Sequence, residues 1–388
     1  MKKQSLFMVA GIIMLGVVMR APFTALPAIL TDIAAGLGVQ VSSLGVLTSI
    51  PLIMFALCSF LAPRLAGKLG LEKLMALVLF IMTIGSGMRA SGLVGLFAGT
   101  VLLGGTIAFI NVLLPSIVTA NFPKKIGLYT TIYVTLMGVA GTTASMAAVP
   151  VVTATSWQTF IYLVTAVIFL ALLIWLPNVR HNHRFESNQE KSSGQSLWKN
   201  KAALAFLIFG GLQSVLFYTE ITWLPTIAQS IGFSKVEAGF MSGMYNLMAI
   251  PMSMVTPAIL SRQTKDGRRW IMLIISAVSL VGLALMALAP VNIAIWTAIH
   301  LILSFTNGAL FPYMMLGFTL KTSNPQATAQ LSGMVQTGGY LIAAFGPGLL
   351  GYSFPVFGSW LPLILALAVV TLVMMWTIVL IEKKEIIL

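Results

Sequence analysis

The chain contains 388 residues, of which 58% are hydrophobic and only 8% are charged, and its formal net charge is +13 at pH 7. Charged residues make up about a quarter of an ordinary soluble domain. The composition therefore excludes a soluble enzyme or binding domain and indicates a membrane protein.

Apolar runs of about 20 residues recur along almost the whole chain, and each is long enough to cross roughly 30 Å of hydrocarbon as a helix. We predict twelve transmembrane helices, at residues 6–30, 42–62, 72–90, 95–119, 127–150, 157–176, 202–229, 236–260, 270–289, 292–319, 329–352 and 357–381. Because twelve is an even number, both termini are expected on the same side of the membrane.

The basic residues are distributed unevenly between the two sides of the predicted membrane. Of the 22 Lys and Arg residues, 19 lie in loops on the side of the termini, Arg89 and Lys235 lie on the opposite side, and Arg20 lies within the first span. Cytoplasmic loops carry the excess of Lys and Arg, so both termini are predicted to be cytoplasmic in a bacterial-type inner membrane. The basic residues occupy seven separate segments rather than one patch, which argues against nucleic-acid binding. Arg89 ends the third predicted helix, and we expect its side chain to extend to the outer interface.

Arg20 stands in the stretch VVMRAPFTALPAIL of the first predicted helix. A charged side chain in the middle of a membrane is costly, so Arg20 is expected to face the protein interior or a watery cavity. Helical spacing predicts Phe23 and Thr24 on the same face. The planar guanidinium could bind an anionic group of a solute. Alternatively, Arg20 pairs with a buried carboxylate or with helix-end carbonyls and fixes the packing of the helices.

A polar segment, Pro177 to Lys201, separates six predicted helices from six more. This separation predicts an N-terminal bundle at 1–176, a cytoplasmic central loop at 177–201 and a C-terminal bundle at 202–388. Three stretches of the second half match the first at offsets of 198, 194 and 196: ITWLPTIA matches FTALPAIL, a helix ending at Pro257 matches one ending at Pro63, and FTNGALFP matches FINVLLP. Matches near one offset in corresponding helices indicate an internal duplication, as found in many transporters.

The loop PRLAGKLGLEKL resembles a degraded signature of the major facilitator superfamily, and its second copy, PAILSRQTKDGRRW, keeps Arg262, Gly267, Arg268 and Arg269. Through MRAPFTALPAIL, INVLLPSIVTANFP and LSGMVQTGGYLIAAFGPGLLG the chain is similar, more narrowly, to the cyanate permease and 2-nitroimidazole exporter family. The resemblance implies an all-α membrane protein of two pseudo-symmetric six-helix bundles and a monomer. It also implies a central pathway lined by helices one, four, seven and ten.

Glu220, in the seventh predicted helix, is the only acidic residue deep within a predicted span. The internal repeat aligns it with Pro22 and aligns Tyr218 with Arg20. Intramembrane carboxyl groups mark proton relays, ion pairs and solute pathways. Three interpretations of Glu220 therefore stay open: a proton carrier, a structural ion pair, or a contact at an outer gate.

The tenth predicted helix presents His300, Ser304 and Asn307 on one face. His300 is a second candidate for a proton site, or it forms a hydrogen bond between helices. Asn307 and its repeat counterpart Asn111 could each offer an amide to a solute, or bind a neighbouring helix.

Three aromatic residues, Phe23, Tyr218 and Trp223, occur at repeat-related depth. Their rings could stack on a flat solute, or they could pack between helices like the other apolar residues of the spans.

These features predict a secondary transporter that moves a small polar or anionic organic solute, cyanate-like or nitroimidazole-like, by alternating access, with protons as a candidate coupling ion. The alternative is efflux of a neutral aromatic drug, with Arg20 in a structural role. The expected partners are this solute, protons and membrane lipid.

The sequence contains no phosphate-binding loop, no nucleophile with an adjacent base and no Cys/His metal spacing. We therefore predict no enzyme activity, no cofactor and no metal. His181 and His183 are expected to be solvated in the central loop, and the single Cys58 cannot form an intrachain disulfide.

Overall fold

The computed structural model describes residues 3–184, except 40–43, 45–46 and 48–49, and residues 197–388, except 352. Throughout these residues the secondary structure is helical, with short turns and loops between the helices. Contacts divide the chain into two compact units, Met1–Lys191 with Ser323–Thr337, and Ser192–Thr322 with Gly338–Leu388. The predicted division at 177–201 contains residues 185–196, which lie outside the described part, so that division stays a prediction.

The first unit is built from long helices that pack side by side. Its helices are α1 (Lys3–Thr24), α2 (Leu30–Leu37), α3 (Ile50–Ser59), α4 (Ala62–Leu69), α5 (Leu71–Met88), α6 (Leu93–Asn121), α7 (Ile126–Ala154) and α8 (Trp157–Trp175), followed by a 3₁₀ turn, Leu176–His181. Helix α1 packs on α7 and α8, and α6 packs on α3 and α5.

The first predicted span, 6–30, is not one helix. Helix α1 ends at Thr24, a 3₁₀ turn covers Leu26–Ile29, and α2 begins at Leu30. Pro27 lacks the backbone N–H that a continuing α-helix would need, and proline also disfavours helical geometry in the residue before it. A buried apolar cluster, which includes Leu26 and Ile29 of the 3₁₀ turn and residues of α2, α6, α7 and α8, packs around this break.

The second predicted span, 42–62, also differs from the structure. Helix α3 ends at Ser59, and α4 begins at Ala62 with Pro63 in its first turn. Proline is favoured at the start of a helix because the missing N–H would have no partner there. The remainder of this span includes residues outside the described part.

The second unit contains the corresponding long helices of the other half. These are α9 (Lys201–Ser230), α10 (Lys235–Leu260), α11 (Lys265–Leu288), α12 (Ile293–Leu320), α13 (Pro325–Gly351), α14 (Ser353–Phe357) and α15 (Leu361–Glu382), and the first part of α13 belongs to the first unit. Helix α10 packs on α12, and α15 packs on α9 and α11. Among the long apolar helices, α9 is the most buried.

Among the described residues, ten helices are long and apolar enough to cross a membrane. They coincide with ten of the twelve predicted spans; the other two, 42–62 and 329–352, each contain residues outside the described part. The apolar runs therefore predicted the helices well, because a membrane span must satisfy all its backbone hydrogen bonds within itself.

Candidate functional site

Arg20 lies where α1 packs against Gly141 of α7. A Cβ atom at Gly141 of α7 would lie 3.3 Å from Cβ of Arg20 and 3.2 Å from Oγ1 of Thr24. The Thr24 hydroxyl lies 3.1 Å from the carbonyl oxygens of both Arg20 and Gly141, and Ser145 donates to the Thr24 carbonyl at 3.0 Å. Thr24 therefore joins α1 to α7, while Arg20 is half-buried beside it.

Arg89 is buried, with 4% of its surface exposed, and the prediction that it reaches the outer interface is wrong. Its Nη1 donates to the carbonyl oxygen of Pro22 at 2.9 Å. This carbonyl belongs to the last turn of α1, where carbonyl groups lack helical partners. Arg89 also follows the last residue of α5. The negative end of α1 therefore holds the guanidinium.

A small cavity lies between the end of α1, α3 and α6 in the first unit. Its walls include Phe23, Arg89 and Thr100, together with Pro22, Leu26, Leu47, Pro51, Leu103, Gly104 and Ile107. The Thr100 hydroxyl donates to the Leu96 carbonyl at 2.6 Å, so its hydrogen is already used. Apart from Arg89 and Thr100, every described residue on this wall is apolar or glycine.

Glu220 is the centre of a polar cluster in the second unit, formed by Glu220, Tyr245, Ser304 and Asn307. Its carboxyl is buried, with 1% of the residue exposed. Oε2 accepts hydrogen bonds from the Tyr245 hydroxyl at 3.1 Å and from Nδ2 of Asn307 at 2.6 Å, whereas Oε1 has no hydrogen-bond partner in the described part of the chain. The Ser304 hydroxyl donates to the Tyr245 carbonyl. The Glu220 cluster thus joins α9, α10 and α12 through a carboxyl group, and none of the ion pairs in the described part of this unit includes Glu220.

His300 lies on α12 and is fully buried. Its Nδ1 is 2.8 Å from the Trp296 carbonyl oxygen, one turn earlier, and its Nε2 has no partner among the described residues. The described contacts do not link His300 to the Glu220 cluster, although Ser304 and Asn307 of the same helix belong to it.

The repeat-related asparagines differ in their hydrogen bonds. Both are buried, and the side-chain oxygen of each lacks a partner in the described structure. Nδ2 of Asn307 is bound to Glu220. For Asn111 the described residues include no such acidic hydrogen-bond partner, and the repeat alignment places Pro22 at the position that corresponds to Glu220.

The predicted aromatic residues lie in different surroundings. Phe23 contributes to the cavity wall beside Arg89. The Tyr218 ring packs edge-on against Phe217, with centroids 5.1 Å apart. The Trp223 ring lies 5.5 Å from Trp360. Trp223 therefore contributes to helix packing, whichever further role it has.

A buried ionic cluster at the end of α12, which sequence reasoning missed, includes Arg268 of the retained signature copy. Lys321 and Glu382 are each 1% exposed at the side chain, and Lys321 Nζ lies 2.6 Å from Oε2 of Glu382. Arg268 Nε lies 3.3 Å from the same oxygen, and Tyr313 donates to Oε1 at 2.9 Å. Burial lowers the pKa of Lys321, and the carboxylate of Glu382 opposes this shift.

A second ionic contact lies at the start of α5. The Glu72 side chain is buried and accepts hydrogen bonds from the backbone N–H and Nδ1 of His183, both at 2.6 Å. This hydrogen bond to Glu72 raises the pKa of His183. The prediction that His183 is merely solvated is therefore wrong; its sequence separation from Glu72 gave no signal of the contact.

The buried charges and the membrane-spanning helices define a multi-pass membrane protein. The sequence model of the Major Facilitator Superfamily matches residues 6–347 of the chain. The chain therefore belongs to the Major Facilitator Superfamily, whose members are transporters. This confirms the predicted class, a transporter rather than an enzyme, and its all-α fold.

Three curated relatives span almost the whole chain. An uncharacterized transporter of Bacillus subtilis (strain 168), YycB, is 36% identical over 95% of this chain and 91% of its own length. The 2-nitroimidazole transporter of Escherichia coli (strain K12) is 32% identical over 96% and 94%. The cyanate transport protein CynX of the same strain is 22% identical over 91% of each. The predicted resemblance to this family is thus confirmed.

The fold has a counterpart among solved structures. The superfamily transporter FucP, in an outward conformation, has a TM-score of 0.77, with 12% identity over 95% of this chain and 97% of the other. At this identity the likeness concerns the fold alone.

Proposed function

We propose that the protein is a secondary transporter of a small polar or anionic organic solute, cyanate-like or nitroimidazole-like, which binds near Arg20 and moves by alternating access with proton coupling at Glu220. It acts as a monomer in a bacterial-type inner membrane with both termini in the cytoplasm. Its halves, 1–176 and 202–388, serve as the two moving bundles.

The observation that carries the substrate class is the 32% identity, over 96% of the chain, to a protein named as a 2-nitroimidazole transporter. A second relative, named as a cyanate transport protein, also supports a small solute. A guanidinium suits both kinds of solute, because its planar set of donors binds carboxylate-like or nitro oxygen atoms in pairs. Phe23, Tyr218 and Trp223 are the residues proposed to contact a flat ring, and Thr24, Asn111 and Asn307 the polar ones.

Glu220 supports the coupling step. A buried carboxylate costs free energy unless hydrogen bonds compensate, and here the two described donors, Tyr245 and Asn307, bind the same oxygen. A group in this position changes its charge when it gains or loses one proton, and the Tyr245 and Asn307 contacts respond to that charge. His300 is the second proposed proton site.

The alternative function is efflux of a neutral aromatic drug, with Arg20 holding α1 in place. It is favoured by the closeness of α1 and α7 around Arg20 and Thr24. It is also favoured by the chemistry of 2-nitroimidazole itself, which contains an aromatic azole ring.

The first test uses the purified protein and its Arg20→Lys variant, which retains the charge but loses the planar fork. Ligands that bind the folded state raise the melting temperature. Stabilisation by cyanate or another small anion that disappears in Arg20→Lys supports the proposed function. Stabilisation by 2-nitroimidazole alone, unchanged in the variant, supports the alternative.

The second test measures uptake of the stabilising solute into liposomes with an imposed pH gradient. We expect Glu220→Gln to retain exchange of solute and to lose pH-driven accumulation, because glutamine keeps an acceptor and cannot ionise. Glu237→Gln is the matched control: Glu237 caps the start of α10, and glutamine also serves in a capping box. Unchanged pH-driven accumulation in Glu220→Gln would rule out coupling at this residue.

A further inference from the structure

Arg89 is a buried cation that the proposed function does not use. Arg89 is 4% exposed, and none of the described acidic side chains lies within salt-bridge distance of its guanidinium. Its described hydrogen bond is the one from Nη1 to the Pro22 carbonyl, and Nε is buried without a partner. Buried charges are ordinarily paired, and unsatisfied buried donors are uncommon.

The cavity beside Arg89 has the size of a small ligand. It has room for about one water molecule or one monatomic ion. Among the described residues of its wall, the one hydroxyl belongs to Thr100, which already donates to the Leu96 carbonyl. Of these described residues, Arg89 is therefore the donor for a ligand in the cavity, and the others that surround the ligand are apolar or glycine.

We infer that this cavity is an anion site, in which Arg89 binds a small monovalent anion: a halide ion, or the terminal atom of the anionic group of the transported solute. The guanidinium is weakly hydrated and carries several donors, so it can hold a weakly hydrated anion in apolar surroundings. A large divalent anion such as sulfate does not fit, because the space is small and a second charge would be uncompensated.

The structure holds the guanidinium in place before a ligand arrives. Pro22 fixes Nη1 from α1, and Gly99 of α6 lets the stem of Arg89 pass, because a Cβ atom at Gly99 would lie 2.7 Å from Cγ of Arg89. Phe23 lies on the same cavity wall and connects the proposed anion site to the residues proposed for solute binding.

The test measures the melting temperature of the full chain in a chloride-free gluconate buffer while bromide, chloride, cyanate or sulfate is added at constant ionic strength. We expect saturable stabilisation by the monovalent anions and none by sulfate. In Arg89→Lys and Arg89→Gln the affinity should fall by about tenfold or more, since a charge-assisted hydrogen bond is lost or misplaced. Arg180→Gln, which removes an exposed arginine of the 3₁₀ turn Leu176–His181, is the control and should keep the halide response.

A saturable halide response that survives unchanged in both Arg89 variants would overturn the inference, as would the absence of any response in the wild type. If the variants do not fold, bromide in crystals of the wild type decides: anomalous density at hydrogen-bond distance from the guanidinium supports the site, and its absence at saturating bromide refutes it. If bromide and cyanate compete, the solute itself is the natural ligand of the cavity. If they bind independently, the natural ligand of the cavity is a halide ion that stays bound while the solute moves. The halide arm does not depend on transport, so its failure is distinguishable from failure of the proposed function.

Discussion

The buried pair of Lys321 and Glu382 allows a quantitative test of the ionic cluster at the end of α12. We propose a double-mutant cycle with Glu382→Gln, Lys321→Met and the double variant. The Lys321 ammonium contacts Oε2 of Glu382 at 2.6 Å and the Lys384 carbonyl at 2.7 Å. Glu382 also faces Arg268 and Tyr313.

The expected magnitude follows from what each change leaves behind. Glu382→Gln leaves the cations of Lys321 and Arg268 without their shared carboxylate, and removal of one partner from a buried pair costs about 3–5 kcal/mol. Lys321→Met leaves Glu382 with Arg268 and Tyr313, and should cost about 1.5–3 kcal/mol, as for a lost hydrogen bond to a charged group. In the double variant one uncompensated cation is gone, so it should be less destabilised than the sum, with a coupling energy of about 1.5–3 kcal/mol.

The free energy of unfolding is measured by equilibrium titration with sodium dodecyl sulfate in mixed micelles. The control cycle uses Arg269 and Asp266, an exposed pair at 3.3 Å one turn apart on α11. Such a pair is expected to couple by about 0.3–0.5 kcal/mol. A coupling energy for Lys321 and Glu382 no larger than that of the control would refute the conclusion that burial strengthens this pair.

Three further predictions follow from individual contacts. His183→Gln should flatten the pH dependence of the melting temperature. Because Glu72 raises the pKa of His183, the contact stabilises the folded protein fully below the ordinary histidine pKa of 6.5, and this stabilisation is lost as the pH rises through the raised pKa. Equal slopes of melting temperature against pH in the wild type and the variant would contradict this. Gly99→Ala should lower the melting temperature, since its Cβ would collide with the Gly85 carbonyl oxygen. The control is Gly239→Ala, which should leave the melting temperature unchanged or raise it, because no atom of the described neighbours lies within 4 Å of the added Cβ. Equal shifts in the two variants would argue against the collision. Tyr245→Phe removes a hydrogen-bond donor to Glu220 and should lower the free energy of unfolding by about 1.5–3 kcal/mol in the same detergent titration. An unchanged free energy of unfolding would contradict the contact.

Sequence alone predicted the helices because apolar runs of this length have few structural alternatives in a membrane. It did less well where proline interrupts the pattern. At Pro27 and Pro63 the apolar run continues while the helix does not. Hydropathy indicates only whether a segment prefers lipid or water. A proline is apolar, yet it lacks the N–H that a helix needs and so interrupts the backbone without changing the hydropathy of the run.

The buried charges show a second limit of sequence reasoning. Arg20 and Glu220 stood out because they interrupt apolar runs. Arg89, Glu72 and Glu382 lie at helix ends, where a charged residue is unremarkable, and their burial depends on partners far away in sequence. Glu72 and His183 are separated by 111 residues, and Lys321 and Glu382 by 61. Without a set of related sequences, a single chain carries no signal of such pairs.

The internal repeat inferred from the sequence allows corresponding positions of the two halves to be compared, and these positions differ in chemistry. At the position shared by Pro22 and Glu220, the first unit offers a backbone carbonyl, which receives Arg89, while the second offers a carboxyl, which receives Tyr245 and Asn307. Asn307 is thereby committed to an interhelical hydrogen bond, whereas no described carboxyl group contacts Asn111, whose side-chain oxygen has no hydrogen-bond partner among the described residues. Of the two asparagines, Asn111 should therefore be the more sensitive to solute: Asn111→Ala should weaken solute binding with little loss of stability, and Asn307→Ala should lower stability through Glu220. Melting temperatures with and without solute separate these effects, and a reversal of the order would contradict the assignment.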